Sequence, residues 1–339
     1  MKESDIRPKA LMQRYLELTK SDAISCFCSD LREPIPCIAC ESSDVSSAFE
    51  KHGFGYGLCQ DCGTLYQTPR PPLSSFEFFY RDSVSSKYFA EIFAPSVQEA
   101  RQERVFQPRV ERLANMCANL GLDVQRLIDV GAGYGNFLNE CRKRFPDTDM
   151  VAVEPSAALA IECRSKGFEV VESFVEQVGT DYEGFADLVV SFEVLEHVHE
   201  PVAFMKSLKR LARPGGMVLV TTLCIDGFDL QTCWDEADQI SPPHHINFFS
   251  VSGFKKLFKR VGLIDINVST PGKLDVDIVR NAFHKNPNIL QGQNFLKHII
   301  RDEQAASAFQ IFLAENLSLI HISEPTRLLS ISYAVFCLK

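Results

Sequence analysis

The stretch Leu127-Ile-Asp-Val-Gly131-Ala-Gly133-Tyr-Gly135-Asn-Phe-Leu138 decides the fold. Leu127–Val130 is a short, mostly apolar run closed by glycine, which reads as a buried strand. A helix is expected to start near Gly135. Glycine lets the backbone turn tightly and approach a ligand where a Cβ would clash. Gly131, Gly133 and Gly135 give the spacing GxGxG. The dinucleotide fingerprint needs its third glycine one residue later, where this chain has Asn136. A plain strand-to-helix turn is the alternative reading.

Working outward, further strands are expected at Met150–Val153, Glu169–Val171, Leu188–Ser191, Met217–Thr222 and Ile264–Ser269, with helices starting near Ser156, Pro201 and Ser252. Alternating strands and helices predict an α/β fold with a parallel sheet covered on both faces. The second strand ends in Val151-Ala-Val-Glu154-Pro155. A carboxylate at such a tip can accept two hydrogen bonds from a ribose diol; a solvated strand end is the alternative.

Four motifs in order carry a resemblance: IDVGAGYG, VAVEPS, FADLVVSFEVLEHV and ARPGG. Over residues 126–270 the chain resembles the class I S-adenosylmethionine-dependent methyltransferases, a Rossmann-like fold. The resemblance implies that the methionine end of the cofactor lies over the glycine turn, with Asp129, Gly131, Ala132, Gly133 and Gly135 as binding residues. It implies that Glu154, followed by Pro155, holds the ribose. Glu172 and Ser173 would flank the adenine, and Phe192 and Glu193 would line the site after the fourth strand. Arg213–Gly216 is the turn by which such enzymes enter the fifth strand. A nicotinamide-dependent oxidoreductase is opposed by Asn136 and by this turn. In such enzymes the cofactor carries the chemistry, and the protein aligns nucleophile and methyl and removes a proton where needed.

Cys37-Ile-Ala-Cys40 and Cys59-Gln-Asp-Cys62-Gly63 form two CxxC pairs. That spacing fits a tetrahedral four-thiolate Zn2+ site, closed and therefore structural. Unliganded thiols are the alternative. Cys26 and Cys28 fit no knuckle and are read as bystanders. An N-terminal zinc-ribbon-like module before a methyltransferase sheet resembles the C-methyltransferases of nucleotide-linked deoxysugars and other small-molecule methyltransferases.

The loop Ser241-Pro-Pro-His244-His245-Ile-Asn-Phe-Phe-Ser250 follows the fifth strand. His245 or His244 is a candidate general base, since imidazole titrates near neutral pH; a histidine bonding its own loop backbone is the alternative. Glu193 is a lesser candidate base.

The 339 residues are 45% hydrophobic and 23% charged, with a net charge of -9. That balance predicts a globular chain and opposes a nucleic-acid or membrane-surface partner. The sequence has neither an apolar run of membrane-spanning length nor an apolar leader in MKESDIRPKA, so a cytoplasmic location is expected. Twelve cysteines then read as thiols or metal ligands. The expected activity is methyl transfer to a small-molecule acceptor, including a nucleotide-linked or polysaccharide sugar. A zinc-ribbon RNA methyltransferase and an inactive methyltransferase-like scaffold are the alternatives. The sequence carries no expectation of oligomeric state.

The expected organisation is a helical segment (1–34), a zinc-binding module (35–70), a helical linker or cap (71–125), the methyltransferase domain (126–272), a helical segment (273–316) and a tail (317–339). The tail reads as translated DNA-sequencing adapter. Leu317–Arg327, LSLIHISEPTR, back-translates to a transposase end with its primer site, and Ile331–Leu338 to the flow-cell end. The leftover base and index between these blocks account for the codons of Leu328, Leu329 and Ser330. The natural chain is then expected to diverge near Asn316. No seventh strand is found between Pro271 and Asn316, and the tail is expected to stand in its place.

Overall fold

The computed structural model describes residues 2–27, 31–270 and 272–314, and the backbone of 334–338. Cys28, Pro271, Asn316 and Leu317–Arg327 lie outside the described residues. The strands are β1 (Val45–Lys51), β2 (Phe54–Cys59), β3 (Leu65–Gln67), β4 (Arg126–Val130), β5 (Asp149–Val153), β6 (Glu169–Val171), β7 (Ala186–Phe192), β8 (Ala212–Thr221), β9 (Asn247–Phe248), β10 (Ile264–Ser269) and β11 (Ala334–Leu338). The principal helices are α1 (Lys9–Cys26), α2 (Leu73–Asp82), α3 (Gln107–Leu120), α4 (Asn136–Arg144), α5 (Ala157–Ser165), α6 (Pro201–Leu211), α7 (Val251–Arg260), α8 (Asp275–Lys285), α9 (Asn294–Arg301) and α10 (Glu303–Phe312). Every strand expected from the alternating pattern is present, to within a few residues at each end. The chain divides into two units, each discontinuous in sequence.

One unit holds Arg101–Thr222, Phe254–Ser269 and β11. Its seven-stranded sheet has the order β10-β11-β8-β7-β4-β5-β6. Strands β6, β5, β4, β7 and β8 are parallel neighbours, and β11 runs antiparallel to both β8 and β10. The order reverses at β4: the chain first builds outward through β5 and β6, then returns to add β7 and β8 on the other side. Leu127, Leu188, Val190 and Met217 from the strands pack with Leu113, Phe137, Leu138 and Cys141 from α3 and α4 in one core. Each such side chain contributes on the order of 1.5–3 kcal/mol by leaving water.

The slot between β8 and β10 is filled by Ala334–Leu338, as the sequence reading anticipated for the tail. The turn expected at Arg213–Gly216 lies inside β8. Ala186 pairs with Ala212 and Leu188 with Met217, so the extra residues bulge opposite Asp187. Asp187 explains the bulge, because it accepts from the backbone N–H of Gln125 (2.9 Å) and Arg126 (2.8 Å) and pairs with the Arg213 guanidinium at 2.5 Å. A β-bulge of this kind re-aims a strand where a local partner demands it.

The other unit holds Met1–Ala100, Leu223–Gly253 and the described chain from Thr270 to Ala314. Its antiparallel sheet has the order β1-β2-β3-β9. Phe27, Phe54, Tyr56, Phe76, Phe79 and Phe248 form its aromatic core, joined by Val279 and Phe283 of α8. Residues 273–314 are mainly helical. No helix among the described residues is long and apolar enough to cross a membrane.

Candidate functional site

In open α/β sheets, ligands bind beyond the carboxyl ends of the strands where the order reverses. Here that point lies between β4 and β7, and the glycine turn follows β4 directly. Gly131, Gly133 and Gly135 all adopt positive φ, at 77°, 57° and 68°. A Cβ on Gly131 would sit 2.5 Å from Val194 Cγ2, and one on Gly135 would sit 3.1 Å from Cys163 Sγ. A Cβ on Gly133 would meet no atom within 4 Å. The first and third glycines thus satisfy packing, whereas the middle one faces open space, as a turn presented to a ligand requires. Ala132 N–H is bonded to Val153 O (3.3 Å), and Gly135 opens α4.

Glu154 stands at the tip of β5 and is 5% exposed. Its Oε2 accepts from Gly133 N–H at 2.8 Å and its Oε1 from Ser156 N–H at 2.9 Å. Burial raises its pKa, and these two backbone donors oppose the rise. Each oxygen keeps further acceptor capacity for a diol. Pro155 beside it is exposed. Glu172 is partly exposed, and its Oε2 pairs with Arg164 Nη1 at 2.8 Å.

Beyond β7, the Phe192 ring lies 4.5 Å from the Phe137 ring, edge to face. The Arg109 guanidinium covers Phe192 at 4.4 Å from the ring centroid. Arg109 Nη2 also reaches Glu193 Oε1 at 3.3 Å, and Thr221 Oγ1 donates to that same oxygen at 2.7 Å. Asp129 is buried at the end of β4, and burial pushes its carboxyl up to about 7 despite the Arg109 charge. Glu196 is buried too, accepts from Thr222 Oγ1 at 2.7 Å, and is shifted upward by burial and by Glu193. Sequence reasoning missed Arg109, which sits in a helix read only as a cap, and noticed Glu196 only as a helix flank.

A family model described as a methyltransferase domain matches residues 97–268, just over half of the chain. The chain belongs to this methyltransferase family. A ubiquinone biosynthesis O-methyltransferase of Xanthomonas oryzae pv. oryzae (strain PXO99A) is 34% identical to it over 119 residues, covering 33% of this chain and 48% of the relative. The corresponding protein of Escherichia coli O127:H6 is 34% identical over 113 residues, covering 32% and 46%. The chain thus spans about half the length of the curated relatives it matches. Among solved structures, the plantazolicin methyltransferase BamL, solved with a triazolic desmethylPZN analog and SAH, aligns with a TM-score of 0.50 at 11% identity. That alignment covers 78% of this chain and 94% of BamL. It supports the Rossmann-like methyltransferase fold.

The four paired cysteines come together in the other unit, at the turns beside its antiparallel sheet. All four Sγ atoms lie within 4.8 Å of one another. Cys37 and Cys62 are 3.6 Å apart, and Cys40 and Cys59 are 3.5 Å apart. Four sulfurs on a tetrahedral zinc would be about 3.8 Å apart. Backbone N–H groups of Ala39 and Cys40 point at Cys37 Sγ, and those of Asp61 and Cys62 at Cys59 Sγ, as in two knuckles that stabilise thiolates. Gly63 at φ 75° turns the second knuckle. Ser250 Oγ donates to Cys62 O, and Gly253 packs so tightly that a Cβ there would lie 2.1 Å from Thr64 Oγ1. The donor set and spacing fit zinc.

The two loop histidines have different surroundings within this same unit. His244 is buried against Phe79 (4.6 Å), Tyr15 (5.4 Å) and Tyr80 (5.8 Å), with Nε2 at 3.3 Å from Ser85 Oγ. His245 Nδ1 lies 2.5 Å from Gln239 O, which can only accept, so Nδ1 carries the proton. Its main-chain carbonyl accepts from Tyr56 Oη at 2.8 Å.

Proposed function

We propose that the protein is an S-adenosylmethionine-dependent methyltransferase acting on a small molecule through an oxygen or other nucleophile. A nucleotide-linked or polysaccharide sugar is the acceptor class favoured by the resemblance of the cysteine module. The names of the curated relatives support a small-molecule acceptor. The observation that carries the reading is the Gly133–Glu154 pair: an open glycine turn bonded to a buried carboxylate at the sheet's switch point. When bound, S-adenosylmethionine supplies a sulfonium methyl that leaves by displacement. Glu154 would accept from the ribose hydroxyls, Gly133 would allow close approach, and Asp129 and Phe192 would border the same crevice.

Of the candidate bases, His245 is the one whose tautomer is fixed: its Nδ1–H is held on Gln239 O, so Nε2 is its basic nitrogen. His244 is enclosed by aromatic rings, and Glu193 spends its carboxylate on Arg109 and Thr221. The four cysteines would hold a structural Zn2+. Calorimetric titration of S-adenosylmethionine, with NAD as control, into the zinc-assayed 339-residue protein tests this reading. Binding of S-adenosylmethionine alone, weakened by Glu154→Ala, is expected; binding of NAD alone, or of neither by folded protein, would overturn it.

A further inference from the structure

The loop after β7 is held by a residue that belongs to none of the four motifs. Glu193 adopts φ 57°, a left-handed backbone that costs a non-glycine residue on the order of 1–3 kcal/mol unless its surroundings impose it. Its surroundings do so. Glu193 N–H donates to Thr221 O at 2.9 Å, and its Oε1 accepts from Thr221 Oγ1 and Arg109 Nη2. The Arg109 guanidinium meanwhile lies over the ring of Phe192, the residue before, at 4.4 Å from its centroid. The residue after, Val194, presses its Cγ2 into the place a Gly131 side chain would occupy. One buried cation therefore grips two consecutive residues, and the third abuts the cofactor turn.

We propose that Arg109 is a positioning residue for cofactor binding, clamping Phe192 and Glu193 so that Val194 buttresses the Gly131 turn. This deepens the proposed cofactor reading and rests on it. Lysine cannot replace the clamp fully, because a single ammonium pairs with a carboxylate but lacks the planar face that stacks on a ring. Methionine keeps the length and packing but neither the charge nor the fork.

The test measures SAH affinity by calorimetry for the wild type, Arg109→Lys, Arg109→Met, Glu193→Gln and the Arg109→Met/Glu193→Gln double variant, each with its melting temperature. SAH is expected to bind about 10-fold or more weakly to Arg109→Met and about 3-fold more weakly to Arg109→Lys. The double variant should lose no more than the worse single variant, since both changes open the same clamp. Folded Arg109→Met that binds SAH within twofold of wild type would overturn the clamp while leaving the cofactor reading intact. So would additive losses in the double variant. If Arg109→Met does not fold, Arg109→Lys carries the test, and wild-type affinity in a folded lysine variant overturns the proposal. Folded wild type that binds no SAH would overturn the cofactor reading and this proposal with it.

Discussion

The backbone N–H of Gly133 donates to Glu154 Oε2 at 2.8 Å, so the glycine turn and the second-strand carboxylate form one bonded unit. Removing the carboxylate therefore frees two backbone donors, at Gly133 and Ser156, and, on the proposed reading, deletes the acceptor of a ribose as well. A hydrogen bond to a charged group contributes about 1.5–3 kcal/mol. Glu154→Ala is expected to weaken S-adenosylmethionine binding by about 10- to 100-fold, with Glu154→Gln less affected. Calorimetry on both variants checks the order.

Two glycines of one turn should fail differently. Gly131→Ala drives a methyl into Val194 at positive φ, so a drop in melting temperature is expected along with lost cofactor affinity. Gly133→Ala meets open space, so the fold should lose only about 1–2 kcal/mol from the left-handed backbone, while the methyl would intrude on the proposed cofactor site. A Gly133→Ala protein that melts near wild type yet binds cofactor as tightly as wild type would count against the turn as the binding surface.

The cysteine site predicts one zinc per chain by elemental analysis. Cys59→Ser should lower the bound metal and the melting temperature, because the two knuckles then lose their shared centre. Cys26→Ser, outside the knuckles, should leave metal content unchanged.

Asp129 sets the sign of a pH effect. Its folded pKa is raised to about 7, whereas an unfolded aspartate titrates near 3.9. Between those values the folded chain holds a proton that the unfolded chain has released, so stability falls as pH rises. The burial penalty is absent below about pH 4 and complete somewhat above pH 7. Asp129→Asn is expected to melt with a flatter pH dependence between pH 5 and 8 than wild type. Parallel slopes for the two proteins would refute this assignment.

The adapter-like reading of the tail makes a prediction about the gene. Sequencing source DNA across the codon for Asn316 should give residues other than Leu317–Leu338. The segment encoded there should supply the antiparallel neighbour of β8 and β10 that Ala334–Leu338 supplies in this chain.

Much of this architecture was legible because its signals are local. Apolar runs such as Leu127–Val130 and Leu188–Ser191 bounded by turns fix the parallel strands, and Gly121 ends α3 in a left-handed conformation at φ 62°. The CxxC spacing likewise forecasts a cluster, because each pair needs only its own knuckle. Arg109 was not legible: in sequence it is one charged residue in an amphipathic helix, and its partners Phe192 and Glu193 are adjacent only after folding. The bulge at Arg213–Gly216 was read as a preceding turn because Asp187, which shapes it, lies on the neighbouring strand. β9 was missed because two residues carry no period; Asn247 and Phe248 pair with β3 only through tertiary closure.

That last pairing fixes an order of events during synthesis. β3 leaves the ribosome long before Asn247 and Phe248 exist, and five parallel strands must emerge between them. The sheet that bears the cysteine knuckles therefore waits with its β3 edge open while most of the polypeptide is translated. When the late segment arrives, Ser250 and Gly253 seat against Cys62 and Thr64. The edge beside the cysteine cluster is thus closed by a strand made about 180 residues after the one it pairs with.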